Sequence, residues 1–380
     1  YQYVYGPVGL HKAVQRLAPD FFPLKTGFTT GSTATAATMA ALHALLHDGE
    51  ALEQATIILP SGEGVELPVE LVEPTERGYR ARARKYSGDD PDVTHLAEIY
   101  SEVVLTEEHS GIRFLQGEGV GRVTLPGLGL EIGGPAINRV PRSMMEAVVR
   151  RAYPEGGVDI TISIPTGREL AVKTFNPRLG ILDGISIVGT SGVVKPFSSE
   201  AFIASIVRQV DVALALGADT VVINSGAKSE KYLKGAFPEL PFQSFIQYGN
   251  FIGETLEKLS TLSVPKVYMG IMLGKAVKLA EGNMDTHSRK VVMNKEFIHR
   301  MAEEAGCSEA AHSLIDGLTL ARELWNGLSP EDLDRLMLRI VDACYEASSR
   351  LVPDSELSLL LIDDEGNIRY TYPHDFLSQR

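Results

Sequence analysis

The chain has 380 residues, 44% hydrophobic and 22% charged, the profile of a folded globular protein long enough for two domains with separate cores. Its formal net charge of -13 argues against a nucleic-acid surface and an anionic membrane partner, so any anion must be met by positive groups gathered locally. There is no run of about 18 apolar residues for a membrane span, and the start lacks the charged-then-apolar pattern of a secretory leader. A cytoplasmic location is the expectation. The two cysteines, Cys307 and Cys344, show no metal or redox spacing and read as buried free thiols.

Residues 1–23 are aromatic-rich and irregular, with LHKAVQRLAP as a short helical stretch. The next segment, LKTGFTTGSTATAATMAALHALLHDG (24–49), is a glycine-bracketed loop running into an alanine-rich helix, with Ser32 and Thr33 at the expected N-cap and Gly49 at the end. A glycine-rich loop at a helix start can hold an anion, and Thr29, Thr30, Ser32 and Thr33 add hydroxyl donors. The P-loop pattern fails because Ser32 follows Gly31 where a lysine is needed, so a carboxylate fits better than a nucleotide phosphate. A structural loop capping its own helix remains an equal reading of this segment alone.

Period-2 segments at 55–60, 64–72, 79–87, 97–106 and 112–116 predict a mostly antiparallel meander. The third places Arg80, Arg82 and Arg84 on one face, either a solvated surface or a carboxylate-binding row. SGDDPDVTH crowds Asp89, Asp90, Asp92 and His95 into one loop, which suits either a hard cation or general base, or an Asx turn. The glycines of QGEGVGRVTLPG imitate a dinucleotide loop but precede a strand and a turn, where the motif needs a helix. PRSMMEAVVRRAY follows as a helix with Arg139 and Arg142 at its head; a strand at 158–165 and a strand ISIVG come next.

From about residue 196 helices alternate with continuous apolar strands, which predicts parallel βαβ units. A helix is expected over 243–260. Ligands bind beyond the carboxyl ends of such strands, which points to Asn224-Ser225-Gly226 and to Gly270–Lys275. GNMDTHSR then adds Asp285 and His287. The rest reads as helices closing on a hairpin turned at Asp364–Asn367.

Taken together, LKTGFTTGSTATAA, SGDDPDVTH, GEGVGRVTLPGLGLEIGGPAINRVPR, ISIPTGRELAVKTFNPRLGILDGISIVGTSGVVKP and GNMDTHSR resemble the cobalt-precorrin-5B C(1)-methyltransferases of anaerobic vitamin B12 biosynthesis. The resemblance runs from about residue 24 to 290 and is not seen beyond about 300. It departs from the family at Thr33-Ala34-Thr35, where a cysteine is frequent, and at Ser225–Lys228, where a Pro-Gly-Asn turn is usual.

The resemblance implies an enzyme of the α/β class. The residue patterning itself divides the chain into an α+β first domain (1–195), mostly antiparallel and expected to bind the corrinoid, a Rossmann-like parallel domain (196–300) and a helical extension (301–380) ending in a hairpin. The resemblance implies methyl transfer from S-adenosylmethionine to carbon 1 of a cobalt corrinoid, the cobalt arriving within the substrate so that no protein metal site is needed. Lys25, Thr26, Thr29, Thr30, Ser32, Arg139 and Arg142 would bind the substrate; Asn224, Gly226, Gly270, Gly274 and Asp285 the cofactor. Asp92, His95 or His287 would serve as base. No nucleic acid or membrane partner is expected, and a homo-oligomer is left open. The loop and the strand ends are expected to share one cleft. The rivals are a non-catalytic corrinoid carrier, recognised by failure to bind S-adenosylmethionine, and a metal-dependent hydrolase, recognised by a tightly held divalent ion.

Overall fold

A computed structural model describes residues 23–286 and 292–379. The short helix expected near the N-terminus, and His287, lie outside the described residues. The chain divides into two compact units, Tyr1–Phe202 and Ile203–Arg380.

The first unit is built around α1 (Thr30–Leu46), preceded by the two-residue strand β1 (Gly27–Phe28). The helix starts earlier than expected. Thr29 is the N-cap, its hydroxyl accepting the Ser32 amide at 3.2 Å, because Gly31 can lie in the first turn where a side chain would strike Pro141. Small residues let neighbours close in from several sides: Ala34, Ala36, Ala37, Ala40, Ala41 and Ala44 are all buried. Thr33, Thr35 and Thr38 satisfy their hydroxyls on carbonyls four residues back.

The chain continues through a hairpin, β2 (Gln54–Ile58) and β3 (Gly64–Pro68), then β4 (Leu71–Pro74), β5 (Tyr79–Arg84), β6 (Glu98–Thr106), β7 (Ile112–Gln116) and β8 (Arg122–Val123). After α2 (Arg139–Ala152) come β9 (Gly157–Ser163), α3 (Gly167–Ala171), β10 (Ile181–Leu182) and β11 (Val193–Val194). The main sheet has order β4-β5-β6-β9-β7, antiparallel except where β7 lies parallel to β9. Ala81, Ile99 and Val103 are buried in its core with α1 residues Ala34, Ala40 and Ala41. The expected strand ISIVG forms only isolated bridges, Ile185 to Val120 and Ile187 to Ile137.

The helix α4 (Ser199–Ala215) begins at the end of the first unit, and in the second it leads into β12 (Thr220–Asn224), α5 (Ala227–Ala236), β13 (Phe245–Gln247), α6 (Ile252–Thr261), β14 (Lys266–Met272) and α7 (Leu273–Ala280). Four more helices follow, α8 (Lys295–Glu304), α9 (Glu309–Gly317), α10 (Leu324–Gly327) and α11 (Pro330–Ser348), then β15 (Glu356–Ile362) and β16 (Ile368–Tyr372). The sheet order is β13-β12-β14-β15-β16, with the first four parallel. Two expectations need correction. The helix expected over 243–260 begins only at Ile252, because Phe245–Gln247 are buried and pair with β12. The closing hairpin is no appendage: β15 pairs along its whole length with β14, so 301–380 completes the sheet and the separate third domain does not exist. The hairpin turn itself forms as expected, the Asp363 carboxylate accepting the amides of Glu365, Gly366 and Asn367.

Candidate functional site

In the first unit three motif segments knot together at the head of α1. Gly27 lies so close to residues 86–88 that a Cβ would come within 2.2 Å of the Ser87 carbonyl carbon, and one on Gly88 would come within 2.1 Å of the Lys25 oxygen. Only glycine permits that approach. Phe28 N–H donates to the Tyr86 carbonyl at 2.7 Å, and the Lys25 amide to the Asp89 carboxylate at 2.7 Å. The third segment, 186–197, closes over both: Gly31 N–H donates to the Val188 carbonyl, and the Phe197 amide to Asp90 at 2.9 Å.

This knot consumes the hydroxyls expected to bind an anion. Thr30 bridges the Ser186 carbonyl and both backbone groups of Val188, Ser32 donates to the Gly192 carbonyl at 2.7 Å, and Thr29 caps the helix. All three are buried. Thr29, Thr30 and Ser32 therefore hold the loop rather than face a ligand, whereas Lys25 and Thr26 are exposed beside it.

The Asp-rich loop contains an ion pair that the sequence reading overlooked. Lys85, one residue past the outward-facing arginine row, points inward and is 1% exposed; its ammonium donates to Asp92 at 2.7 Å and contacts the Ser87 hydroxyl. Parity along the strand was the available signal, since Arg80, Arg82 and Arg84 outward put Lys85 inward, where a charge requires a partner. Burial alone would push the Asp92 carboxyl up, but the Lys85 ammonium and the Thr94 amide and hydroxyl outweigh it and hold it below the usual range. An ionised carboxylate so fully engaged is a poor base, which corrects the catalytic role expected of Asp92.

His95 is half-buried beside Tyr86, and its Nδ1 accepts the Ser87 amide at 3.1 Å. A backbone N–H is always the donor, so the neutral ring carries its proton on Nε2. Burial, then the Lys85 charge, lowers its pKa and keeps it neutral. In this state His95 offers a hydrogen-bond donor and not the free lone pair of a base. Asp90 behaves oppositely to Asp92: desolvation, with the charge of Asp92 added, raises its carboxyl against the Phe197 hydrogen bond.

The remaining candidates of this unit divide. Arg142 is held by the Ile137 carbonyl at 2.8 Å and lies over the Phe114 ring, so it braces the loop before α2. Arg139 makes only a long contact to Gly129 at 3.5 Å and is exposed. The arginine row pairs with Glu70, Glu73 and Glu98, which settles it as a solvated ion-pair lattice. The glycine run is structural: a Cβ at Gly119 would come within 1.8 Å of the Ile164 oxygen.

In the second unit the strand order reverses between β12 and β14, so their carboxyl ends flank the crevice where parallel sheets bind ligands. Asn224 ends β12 fully buried, its amide donating to Ile246 and accepting from Gly226, so it shapes the turn and does not face a ligand. Gly270 lies inside β14 beneath Leu233, which a Cβ would meet at 2.4 Å; it serves helix packing, contrary to expectation. Gly226 and Gly274, at the heads of α5 and α7, have open space where a side chain would stand. Asp285 bridges to Phe251. Lys275, the last residue of the strand-end segment to which the sequence points, lies in the first turn of α7. Among the described residues no group of three or more His, Cys, Asp or Glu could hold a metal ion, and no helix is long and apolar enough to cross a membrane.

The family model described as CbiD matches residues 19–196, and that described as the CbiD C-terminal domain matches 285–373. The second match extends the likeness well past residue 300, where the sequence motifs end. The cobalt-precorrin-5B C(1)-methyltransferase of Prosthecochloris aestuarii is 40% identical over 346 residues, covering 89% of this chain and 94% of that protein. The protein of that name from Priestia megaterium is 40% identical over 362 residues, covering 94% and 96%. The crystal structure of the cobalamin biosynthesis protein cbiD from Archaeoglobus fulgidus shares 30% identity, covering 70% of this chain and 83% of that one, with a TM-score of 0.37. Identity at this level, along nearly the full length of those relatives and with both models matched in order, means that the chain belongs to the CbiD family.

Proposed function

We propose that the chain transfers a methyl group from S-adenosylmethionine to carbon 1 of cobalt-precorrin-5B, giving cobalt-precorrin-6A. The observation that carries this reading is 40% identity along 94% of the Prosthecochloris aestuarii protein of that name. The ring carbon attacks the sulfonium methyl in line, the new C–C bond forms as the S–C bond breaks, and S-adenosylhomocysteine leaves. Its barrier falls chiefly through alignment, which contributes on the order of 7 to 11 kcal/mol, so most site residues position and few react.

The exposed Lys25, Thr26 and Arg139 are suited to the carboxylates edging the macrocycle, and the uncovered backbone at Gly226 and Gly274 to the donor. A proton leaves the macrocycle as its double bonds re-form. Asp90 is the acceptor in this reading, because its raised carboxyl is more basic than the ion-paired Asp92, while His95 donates through Nε2–H. His287 remains a candidate base on its motif alone. Incubation of the chain with cobalt-precorrin-5B and methyl-labelled donor is expected to place one labelled methyl on the corrinoid. Absence of label, with both reactants intact, overturns the reading. Asp90→Asn is expected to lower turnover while leaving corrinoid binding mostly intact; wild-type turnover removes Asp90 as the base.

A further inference from the structure

Some buried or half-buried cations of this acidic chain are held by neutral carbonyls, as Arg142 is, while others have a carboxylate partner, as Lys85 has Asp92 and Lys234 has Glu230. Lys275 has none among the described residues. Its ammonium donates to the Gly249 carbonyl and to Asn250 Oδ1, both neutral acceptors, and lies 5.7 Å from the centre of the Tyr248 ring. An ammonium has three N–H groups, so one remains uncommitted. Among the described residues the charged groups acting on it are Lys278 on its own helix and Asp285 from the segment after α7; Tyr248, under its ammonium, and Cys344, against Tyr248, are neutral because burial pushes both far up. Desolvation, with Lys278 added and Asp285 opposing, draws Lys275 down to about 8. Beside it Gly274 is exposed with nothing over its backbone, at the strand-end crevice. A partly desolvated cation given only neutral acceptors is still short of countercharge, and a ligand anion at that mouth supplies it.

We propose that Lys275 is the carboxylate-binding pole of the strand-end site in the second unit. This rests on the methyltransferase reading, which offers two sources of that chemistry: the amino-acid carboxylate of the sulfonium donor and the carboxylates of the corrinoid. Calorimetric titration of the full chain separates them, using S-adenosylhomocysteine, 5′-methylthioadenosine, which keeps nucleoside and sulfur but lacks the carboxylate, and cobalt-precorrin-5B. Lys275→Met is expected to weaken one carboxylate-bearing ligand by roughly tenfold to a hundredfold and to leave 5′-methylthioadenosine unchanged. A loss confined to S-adenosylhomocysteine assigns the pole to the donor, and a loss confined to the corrinoid assigns it to the substrate.

Lys275→Arg tests charge separately from packing. Wild-type affinity falls as pH rises through about 8, because only the ammonium binds, whereas Lys275→Arg binds independently of pH there. Unchanged affinities in Lys275→Met overturn the proposal. Should that variant fail to fold, Lys275→Gln takes its place, and unchanged affinities in it overturn the proposal equally. If wild type binds neither S-adenosylhomocysteine nor the corrinoid, the methyltransferase reading falls first, a result distinct from loss in the variant alone.

Discussion

Asp92→Asn separates a structural from a chemical role for the Asp-rich loop. The side chains of Lys85 and Asp92 are 1% and 6% exposed and 2.7 Å apart, so water screens the pair very little. Asparagine can still accept the Thr94 amide and hydroxyl through its oxygen, but its NH2 then faces the Lys85 ammonium, donor against donor, and a buried charge loses its partner. Removing one member of such a pair costs about 3 to 5 kcal/mol, while replacing both by apolar residues is often neutral. Urea unfolding of the full chain, followed by circular dichroism, is therefore expected to show a large destabilisation in Asp92→Asn and recovery of most of it in Lys85→Met/Asp92→Leu. The pH dependence gives a second reading. The Asp92 carboxyl is lowered in the folded state, so its stabilisation is complete above the unfolded value of about 3.9 and is lost as pH falls through the folded one. An Asp92→Asn chain with wild-type stability and no turnover would refute this reasoning and restore Asp92 as the base.

Four further outcomes follow from the same geometry. Asp90→Asn keeps an acceptor for the Phe197 amide and removes a carboxyl whose raised pKa makes ionisation unfavourable to folding at neutral pH, so its urea midpoint is expected to match or exceed wild type. Gly27→Ala drives a Cβ into the backbone of residues 86–88 and is expected to lower the thermal midpoint and corrinoid binding together, measured by calorimetry. Arg82→Ala disturbs only a partly exposed ion-pair lattice and is expected to change stability by no more than about 1 kcal/mol, with KM unaltered. Iodoacetamide is expected to label the half-buried Cys307 before Cys344, whose thiol is fully enclosed and pushed far up, with mass spectrometry reading the order.

What was legible in the sequence was periodicity. The alternation of β5, the apolar runs of β12 and β14, and the Asx turn of the last hairpin each encode their structure within a few residues, and all formed. What escaped was long-range pairing. Three residues, Phe245–Gln247, become a strand only because β12 lies beside them, and nothing local distinguishes them from the helix that follows. The closing hairpin reads locally as an appendage, since β15 pairs with a strand far back in the chain, Glu356 with Lys266. At the site the residue types were right and their duties were not. Thr29 caps its own helix, and Thr30 and Ser32 do donate or accept, but with carbonyls and an amide of a segment that no local pattern places beside them.

That outcome has a physical logic. A loop that must hold exposed groups such as Lys25 and Thr26 in fixed places needs its own backbone pinned, and a buried hydroxyl left without a partner costs about 1 to 3 kcal/mol. Dense Gly, Ser and Thr therefore supply both halves of the solution: glycines let the 24–31, 86–90 and 186–192 backbones touch, and hydroxyls satisfy the polar groups that such contact strips of water. A ligand cannot also occupy those donors. On the proposed reading, recognition falls to groups that the knot positions without consuming, Lys25, Thr26 and the Nε2–H of His95, and these are where substitution should alter binding or turnover before it alters folding.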